Sequence, residues 1–204
     1  MTDLRDAWGD IDIYLFDQLL RGRIVPGMTV LEAGCGDGRN LVHLLRAGYT
    51  VFAVDERPEA VDHVRRLAAA LAPQLPADHF QVATIEAMTF PDACADAVLA
   101  IAVLHFAPDE AHFERMLRGL WRVLRPGGLL FCRLASSIGI ESRVAPIEGR
   151  RCRLPDGTQR FLVDEAMLLR LTGELGAQLV DPLKTTLVQD RRAMTTWVVR
   201  RGAR

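Results

Sequence analysis

Apolar residues along the chain fall into two alternating registers. Continuous runs, Thr29-Val30-Leu31-Glu32-Ala33, Thr50 to Val54, Phe80 to Ala83, Asp96 to Ala102 and Leu129 to Leu134, read as strands. Their mostly apolar character suits parallel strands covered on both faces. Between them the apolar positions recur at helical spacing: Leu41, Leu44 and Leu45 within 40–47, Val61, Val64, Leu67, Ala68 and Leu71 after Pro58, and Phe113, Met116, Leu120 and Val123 within 109–124. Pro58 suits a first helical turn, and Arg125-Pro126-Gly127-Gly128 stops the last of these helices sharply.

Beyond 134 the rhythm breaks. Residues 135–160 mix glycines, prolines and arginines and read as a variable insertion or mobile cover. Asp164 caps a helix running to about Leu175. Gln178 to Asp181 and Thr195 to Arg200 read as strands joined across Gln189-Asp190-Arg191-Arg192 in an antiparallel hairpin, and residues 1–26 as an N-terminal helical cover. The sum predicts a single domain over 1–204, α/β in class: a Rossmann-like, seven-stranded, mostly parallel sheet with helices on both faces and a C-terminal antiparallel hairpin.

Composition narrows the partners. With 204 residues, half of them apolar and a quarter charged, the chain is an ordinary globular one. A formal net charge of -1 offers little attraction for nucleic acid, so no DNA is expected and RNA is the lesser expectation. No apolar run approaches the roughly 18 residues of a bilayer span, and the opening Met1-Thr2-Asp3-Leu4-Arg5-Asp6 lacks a signal core, so a soluble cytoplasmic protein, monomer or homodimer, is expected. Cys35, Cys94, Cys132 and Cys152 stand singly and read as packed thiols, and no metal is expected. His43, His63, His79 and His112 show no ligand spacing either.

The strongest local signal is Glu32-Ala33-Gly34-Cys35-Gly36-Asp37-Gly38, where the first strand hands over to a helix. Alternating glycines let the backbone turn tightly against a ligand. Gly34 and Gly36 match the first two glycines of a dinucleotide fingerprint, but Arg39 occupies the third position, which argues against a nicotinamide or flavin enzyme. No lysine followed by serine or threonine makes it a phosphate loop. Asp55, ending the second strand, is placed to accept hydrogen bonds from ribose hydroxyls.

On these residues, with Val51-Phe52-Ala53-Val54-Asp55, the strand end from Ala97 to Phe106 and Leu124-Arg125-Pro126-Gly127-Gly128-Leu129, the chain resembles the class I S-adenosylmethionine-dependent methyltransferases over about residues 27–134. The resemblance implies S-adenosyl-L-methionine as cofactor. It implies that Glu32 orients the glycine loop and the cofactor's amino end, that Gly34, Cys35 and Gly36 pass along its methionine part, and that Asp55 holds the ribose. Glu56 and Arg57 would border the adenosine, Ile85 would contact the adenine with Glu86 beside it, and Ala100 would approach the methionine end. Many relatives carry aspartate where this chain has Thr84. A narrower resemblance is to small bacterial methyltransferases of the tellurite-resistance type.

His105 is the candidate catalytic residue, as a neutral imidazole that takes a proton from the acceptor; the other reading is a wall or helix-cap histidine. Trp8, Tyr14 and Phe16 either cover the cofactor or anchor the opening helix. Arg143, Arg150, Arg151 and Arg153 either pair with an anionic acceptor or form a solvated face. The expected activity is methyl transfer by direct displacement to a nucleophilic oxygen, nitrogen or sulfur atom, on a small molecule. The alternatives are an RNA methyltransferase and a noncatalytic S-adenosylmethionine-binding regulatory protein.

Overall fold

The computed structural model describes residues 4–203; Met1, Thr2 and Asp3 of the expected cover, and Arg204, lie outside the described residues. Two short helices open the chain, α1 (Leu4–Trp8) and α2 (Ile13–Leu20), the second capped by the Asp12 side chain, which accepts from the Tyr14 N–H. The alternating section follows: β1 (Thr29–Ala33), α3 (Leu41–Arg46), β2 (Thr50–Asp55), α4 (Pro58–Leu71), β3 (Phe80–Val82), β4 (Ala95–Ile101), α5 (Glu110–Val123) and β5 (Leu124–Ser136). A small three-stranded antiparallel sheet comes next, β6 (Ala145–Glu148), β7 (Arg151–Arg153) and β8 (Gln159–Phe161). The chain ends in α6 (Glu165–Glu174), β9 (Ala177–Leu179), β10 (Lys184–Val188) and β11 (Arg192–Arg201).

The main sheet runs β10-β11-β5-β4-β1-β2-β3, with β9 also on β11. β1 to β5 are parallel, and β11 runs antiparallel between β5 and the outer strands. Every second residue of a strand faces the same side. Val30, Val51, Ala97, Leu99, Phe131 and Val198 pack with Leu15 of α2, Leu41 and Leu44 of α3, and Val61 and Val64 of α4. Leu31, Val98, Ala100, Leu130, Cys132 and Trp197 pack on the other side with Phe113 and Leu120 of α5 and Leu168 of α6. Helices therefore cover both faces, and between β1 and β4 the crossovers diverge to opposite faces, leaving a crevice at the strands' carboxyl ends.

Three elements differ from the sequence reading. The hairpin partner of β11 is β10, not the segment at 178–181: Lys184 to Val188 pair with Thr196 to Arg192, while β9 lies farther along the same edge. β9 and β10 are one edge strand interrupted at Val180 to Leu183, where the pairing register shifts. Its polar, half-exposed Lys184-Thr185-Thr186 carries no continuous apolar run to announce it. Residues 135–160, read only as an insertion or mobile cover, carry β6 and β7 and the approach to β8, and Cys152, Leu154 and Leu162 pack on Ala135 and Ala193 in a core of their own. Arg125-Pro126-Gly127-Gly128 ends α5 as expected but lies within β5, where the pairing shifts register between Ala95↔Leu124 and Ala97↔Leu129.

Candidate active site

The glycine loop is held by the strand beside it. The Gly34 and Cys35 N–H groups both donate to the Val54 carbonyl, at 2.8 and 3.1 Å, and Gly36 N–H donates to Asp55 Oδ2 at 2.9 Å. Gly34 has φ +69°, and a Cβ there would stand 2.4 Å from Val103 Cγ2, so only glycine fits between loop and β4. Asp55, 8% exposed, also accepts at Oδ1 from the Arg57 N–H (3.0 Å) and Nε (3.3 Å). The acid assigned to ribose thus also fixes the loop's shape.

Two cavities meet at Gly34 and Gly36. The first, about 500 Å³, is lined by Glu32, Cys35, Asp37, Gly38, Arg39 and Asn40, with Gly9 and Asp10 of the opening segment over it. Glu32 is 1% exposed. Its Oε1 accepts from Asn40 Nδ2 at 2.6 Å, while its Oε2 is buried with no partner. Burial pushes its carboxyl up to about 7, against the lowering pull of Asn40 and Arg39. A buried acid with a free lone pair facing a cavity is a ready site for a cationic group. The Cys35 thiol is pushed far up by burial and is no nucleophile.

The second cavity, about 620 Å³, is lined by Asp55, Glu56 and Arg57, by Thr84, Ile85 and Glu86, and by Ala102, Val103, Phe106, His112 and Met116. Its walls are apolar and its rim is charged. His112 Nε2 lies 3.1 Å from Glu86 Oε1, and Arg115 Nη2 lies 3.2 Å from His112 Nδ1. A guanidinium can only donate, so Nδ1 accepts and Nε2 carries the proton to Glu86. α5 reaches this turn because Gly119 has no side chain: a Cβ there would stand 2.7 Å from the Ile85 carbonyl oxygen. Thr84 caps the Ile85–Ala87 turn without a side-chain bond, and the acid of that turn is Glu86.

Nine of the expected site residues, Glu32, Gly34, Cys35, Gly36, Asp55, Glu56, Arg57, Ile85 and Glu86, line one cavity or both. Ala100 is fully buried within β4 and lines neither; Ala102 and Val103, just beyond the strand, do. Ala102 takes φ +58°, uncommon for a residue with a side chain, and its N–H donates to the Arg133 carbonyl at 2.7 Å. His105 lines neither cavity. It is 6% exposed, and its Nδ1 accepts from the Ala135 N–H at 3.2 Å, which places the ring proton on Nε2. Burial, then Arg160, lowers its pKa to about 4.

The opening aromatics serve as anchors. Trp8 stacks on His43 with centroids 3.8 Å apart and meets Phe16 edge-on, and Tyr14 Oη lies 2.6 Å from Thr186 Oγ1. The arginine cluster is dispersed: Arg150 pairs with Asp164 at 2.8 Å, Arg143 lies 3.8 Å from Asp190, and Arg151 bonds Gln159 at 3.2 Å. Sequence reasoning missed Asp12 and Arg133 and gave Asn40 no role of its own. The one legible trace was Asp12 before Ile13-Tyr14-Leu15-Phe16, a helix-start pattern. Among the described residues no group of three or more histidines, cysteines and carboxylates could hold a metal, and no helix is long and apolar enough to cross a membrane.

Comparison with known proteins agrees with this geometry. The profile of the family described as "Methyltransferase domain" matches residues 31–132, from β1 into β5. The ubiquinone biosynthesis O-methyltransferase of Methylocella silvestris is 38% identical over 109 residues, 53% of this chain and 40% of that protein. A Mycobacterium tuberculosis protein named "probable S-adenosylmethionine-dependent methyltransferase" is 32% identical over 171 residues, 78% of this chain and 59% of that one. The chain thus spans between two fifths and three fifths of these relatives' length. Among solved structures, the Burkholderia thailandensis 1,6-didemethyltoxoflavin-N1-methyltransferase, with its substrate and S-adenosylhomocysteine bound, superposes with TM-score 0.69 at 20% identity, over 92% of this chain and 76% of that one. With the glycine loop, Asp55 and the switch-point crevice all inside the matched residues, the chain belongs to the methyltransferase domain family, of the class I S-adenosylmethionine-dependent superfamily.

Proposed function

We propose that this chain catalyses methyl transfer from S-adenosyl-L-methionine to a nucleophilic oxygen, nitrogen or sulfur atom of a small molecule. When bound, the cofactor supplies an electrophilic methyl group. The observation that carries the reading is the pair of cavities meeting at Gly34 and Gly36: one ends on a buried acid with an unpartnered oxygen, the other opens past Asp55 onto apolar walls. That is the complement of a ligand with an ammonium group at one end and a nucleoside at the other. Glu32 would take the ammonium group, the backbone of Gly34, Cys35 and Gly36 the methionine stem, and Asp55 the ribose. Glu56 and Arg57 would border the adenosine, and Ile85 and Glu86 the adenine. Ala100 would act from behind, setting the course of Ala102 and Val103.

His105 lines neither cavity, and its Nδ1 is already bonded to the Ala135 N–H. In this reading it is a wall residue that fixes the Ala135 backbone, and rate is gained by holding acceptor and methyl group in line with water excluded. The balanced charge supports a small acceptor over RNA, and the free cysteines support a reducing, cytoplasmic setting.

Calorimetry against S-adenosylhomocysteine, with NAD as control, comes first, followed by radiolabelled methyl transfer to metabolite extracts and to total RNA. Binding of the sulfur nucleoside with label in metabolites is expected. Label only in RNA would overturn the acceptor class, and tight binding without transfer to any extract would favour the regulatory reading.

A further inference from the structure

A chain of polar contacts runs under α2 across the carboxyl edge of the sheet, from β1 to β10. Its members are Glu32, Asn40, Asp12, Arg133, Tyr14 and Thr186, and they come from five separate parts of the chain. Asn40 is the link nearest the cavity. It is 2% exposed, and both ends of its amide are used: Nδ2 donates to Glu32 Oε1 at 2.6 Å, and Oδ1 accepts the Asp12 N–H at 2.8 Å. Turning the amide over would aim an oxygen at a carboxylate and a donor at a donor, so its orientation is fixed by its neighbours. Asp12 is equally committed. Oδ1 caps α2 at the Tyr14 N–H (2.9 Å), and Oδ2 meets Arg133 Nη1 at 2.5 Å. Arg133 in turn lies 5.3 Å from the centre of the Tyr14 ring, whose hydroxyl reaches Thr186.

We infer that Asn40 is a positioning residue: it turns one oxygen of Glu32 toward the cofactor's ammonium end and, through Asp12, makes seating of α2 and binding of that end reinforce each other. The inference rests on the assignment of Glu32 above. A buried Oε2 without a partner is costly, and a cation relieves that cost. Holding Oε1 on Asn40 leaves Oε2 for that cation, and the Asp12 N–H, in place when α2 is seated, holds the Asn40 amide in that direction from its other end. Coupling of this kind is reciprocal, so cofactor binding must tighten α2 by the same factor.

The charged groups facing Glu32 come from three directions: Arg39 of the glycine loop, Asp12 at the start of α2 and Asp55 at the end of β2. Arg39 and the Asn40 amide favour the ionised carboxyl, and Asp12 and Asp55 oppose it. Removing Asn40 therefore raises the pH needed to ionise Glu32. A residue that merely fills space would leave that pH unchanged.

The test compares S-adenosylhomocysteine with 5′-methylthioadenosine, which shares the adenosine and thioether but lacks the amino-acid end. Calorimetry of wild type and Asn40→Ala across about pH 6 to 9 is expected to show the homocysteine ligand weakened by about tenfold or more near neutral pH, the truncated ligand little changed, and the rise of affinity with pH moved upward. Equal loss of both ligands, or an unmoved pH profile, overturns the inference. In wild type alone, hydrogen exchange at the Phe16 amide, which bonds the Asp12 carbonyl at 2.9 Å, is expected to slow with S-adenosylhomocysteine and not with the truncated ligand. That measurement stands if Asn40→Ala does not fold, and equal slowing by both ligands sinks the coupling. Wild-type protein that binds neither ligand removes the proposed cofactor reading, and the inference with it.

Discussion

The two cavities on either side of Gly34 solve opposite problems. On the Glu32 side the acid is buried and bonded into the polar chain that runs under α2; on the Asp55 side the walls are largely apolar and the Glu86–His112 pair stands at a partly exposed rim. Glu32 is nearly inaccessible, whereas the side chains of Glu86 and His112 are 25% and 28% exposed. The difference teaches where electrostatics can contribute: a buried charge without full satisfaction is costly and responds strongly to a ligand, while a rim pair screened by water is worth little.

Gly34, shared by both sides, carries the largest expected effect. Gly34→Ala combines a left-handed backbone with a contact 2.4 Å from Val103 Cγ2. The expected loss of stability is about 2 to 4 kcal/mol, read from the urea midpoint, with binding of both ligands lost.

Glu32→Gln should separate the two sides. S-adenosylhomocysteine should weaken by roughly 10- to 100-fold at pH 8, as for a lost charge-assisted bond, while 5′-methylthioadenosine is retained. Stability of the empty protein should move the other way. The Glu32 carboxyl is raised from 4.5 to about 7, so the folded state holds its proton more tightly than the unfolded chain. Below the unfolded value this acid costs nothing; as pH rises toward 7 the wild type loses stability, levelling at a cost on the order of 3 kcal/mol. Urea titrations from pH 5 to 8 should show that decline in wild type and a flatter profile in Glu32→Gln.

If the proposed placement of the ribose on Asp55 holds, Asp55→Asn should weaken both ligands alike, by about tenfold, measured in the same titrations. Smaller still is the rim. His112→Ala or Glu86→Gln should change 5′-methylthioadenosine affinity by no more than about threefold, and the change should fade with added salt. A large, salt-resistant loss would mean that the pair is desolvated by the ligand and would erase the contrast.

The smallest expected effect is at His105. With its pKa near 4, kcat at saturating cofactor should show no bend between pH 6 and 7 that His105→Asn removes. Finding one would return the proton-accepting role to this ring.

How much of this was legible follows the same divide. The Asp55 side is built mostly from local sequence: a strand, a glycine turn and a strand ending in Asp55, each announced by its own apolar run or breaker, while Ile85 was reached only through the family resemblance. The polar chain under α2 joins residues far apart, Asp12 to Arg133 and Tyr14 to Thr186, and no periodicity within either segment marks the contact. Arg39 shows both limits at once. Its place where a dinucleotide site has glycine was readable, but not its use, a bond to the Asp10 carbonyl at 3.2 Å that ties the loop to the roof. The strands of the 135–160 segment and β10 escaped because they are short, polar and partly exposed, so neither face carries a run of apolar residues.

The interruption of the outer strand at Val180 to Leu183 bears on solubility. A sheet of this width has two open margins, and an unpaired backbone margin invites a second chain to add in register. One margin is β3, only Phe80–Val82; the other is split into Ala177–Leu179 and Lys184–Val188 by a kink containing Pro182. At that kink Asp181 is drawn back toward α2 by Gln18 at 3.1 Å and Arg23 at 2.5 Å. Neither margin offers a long straight template on which fibre-like stacking could begin.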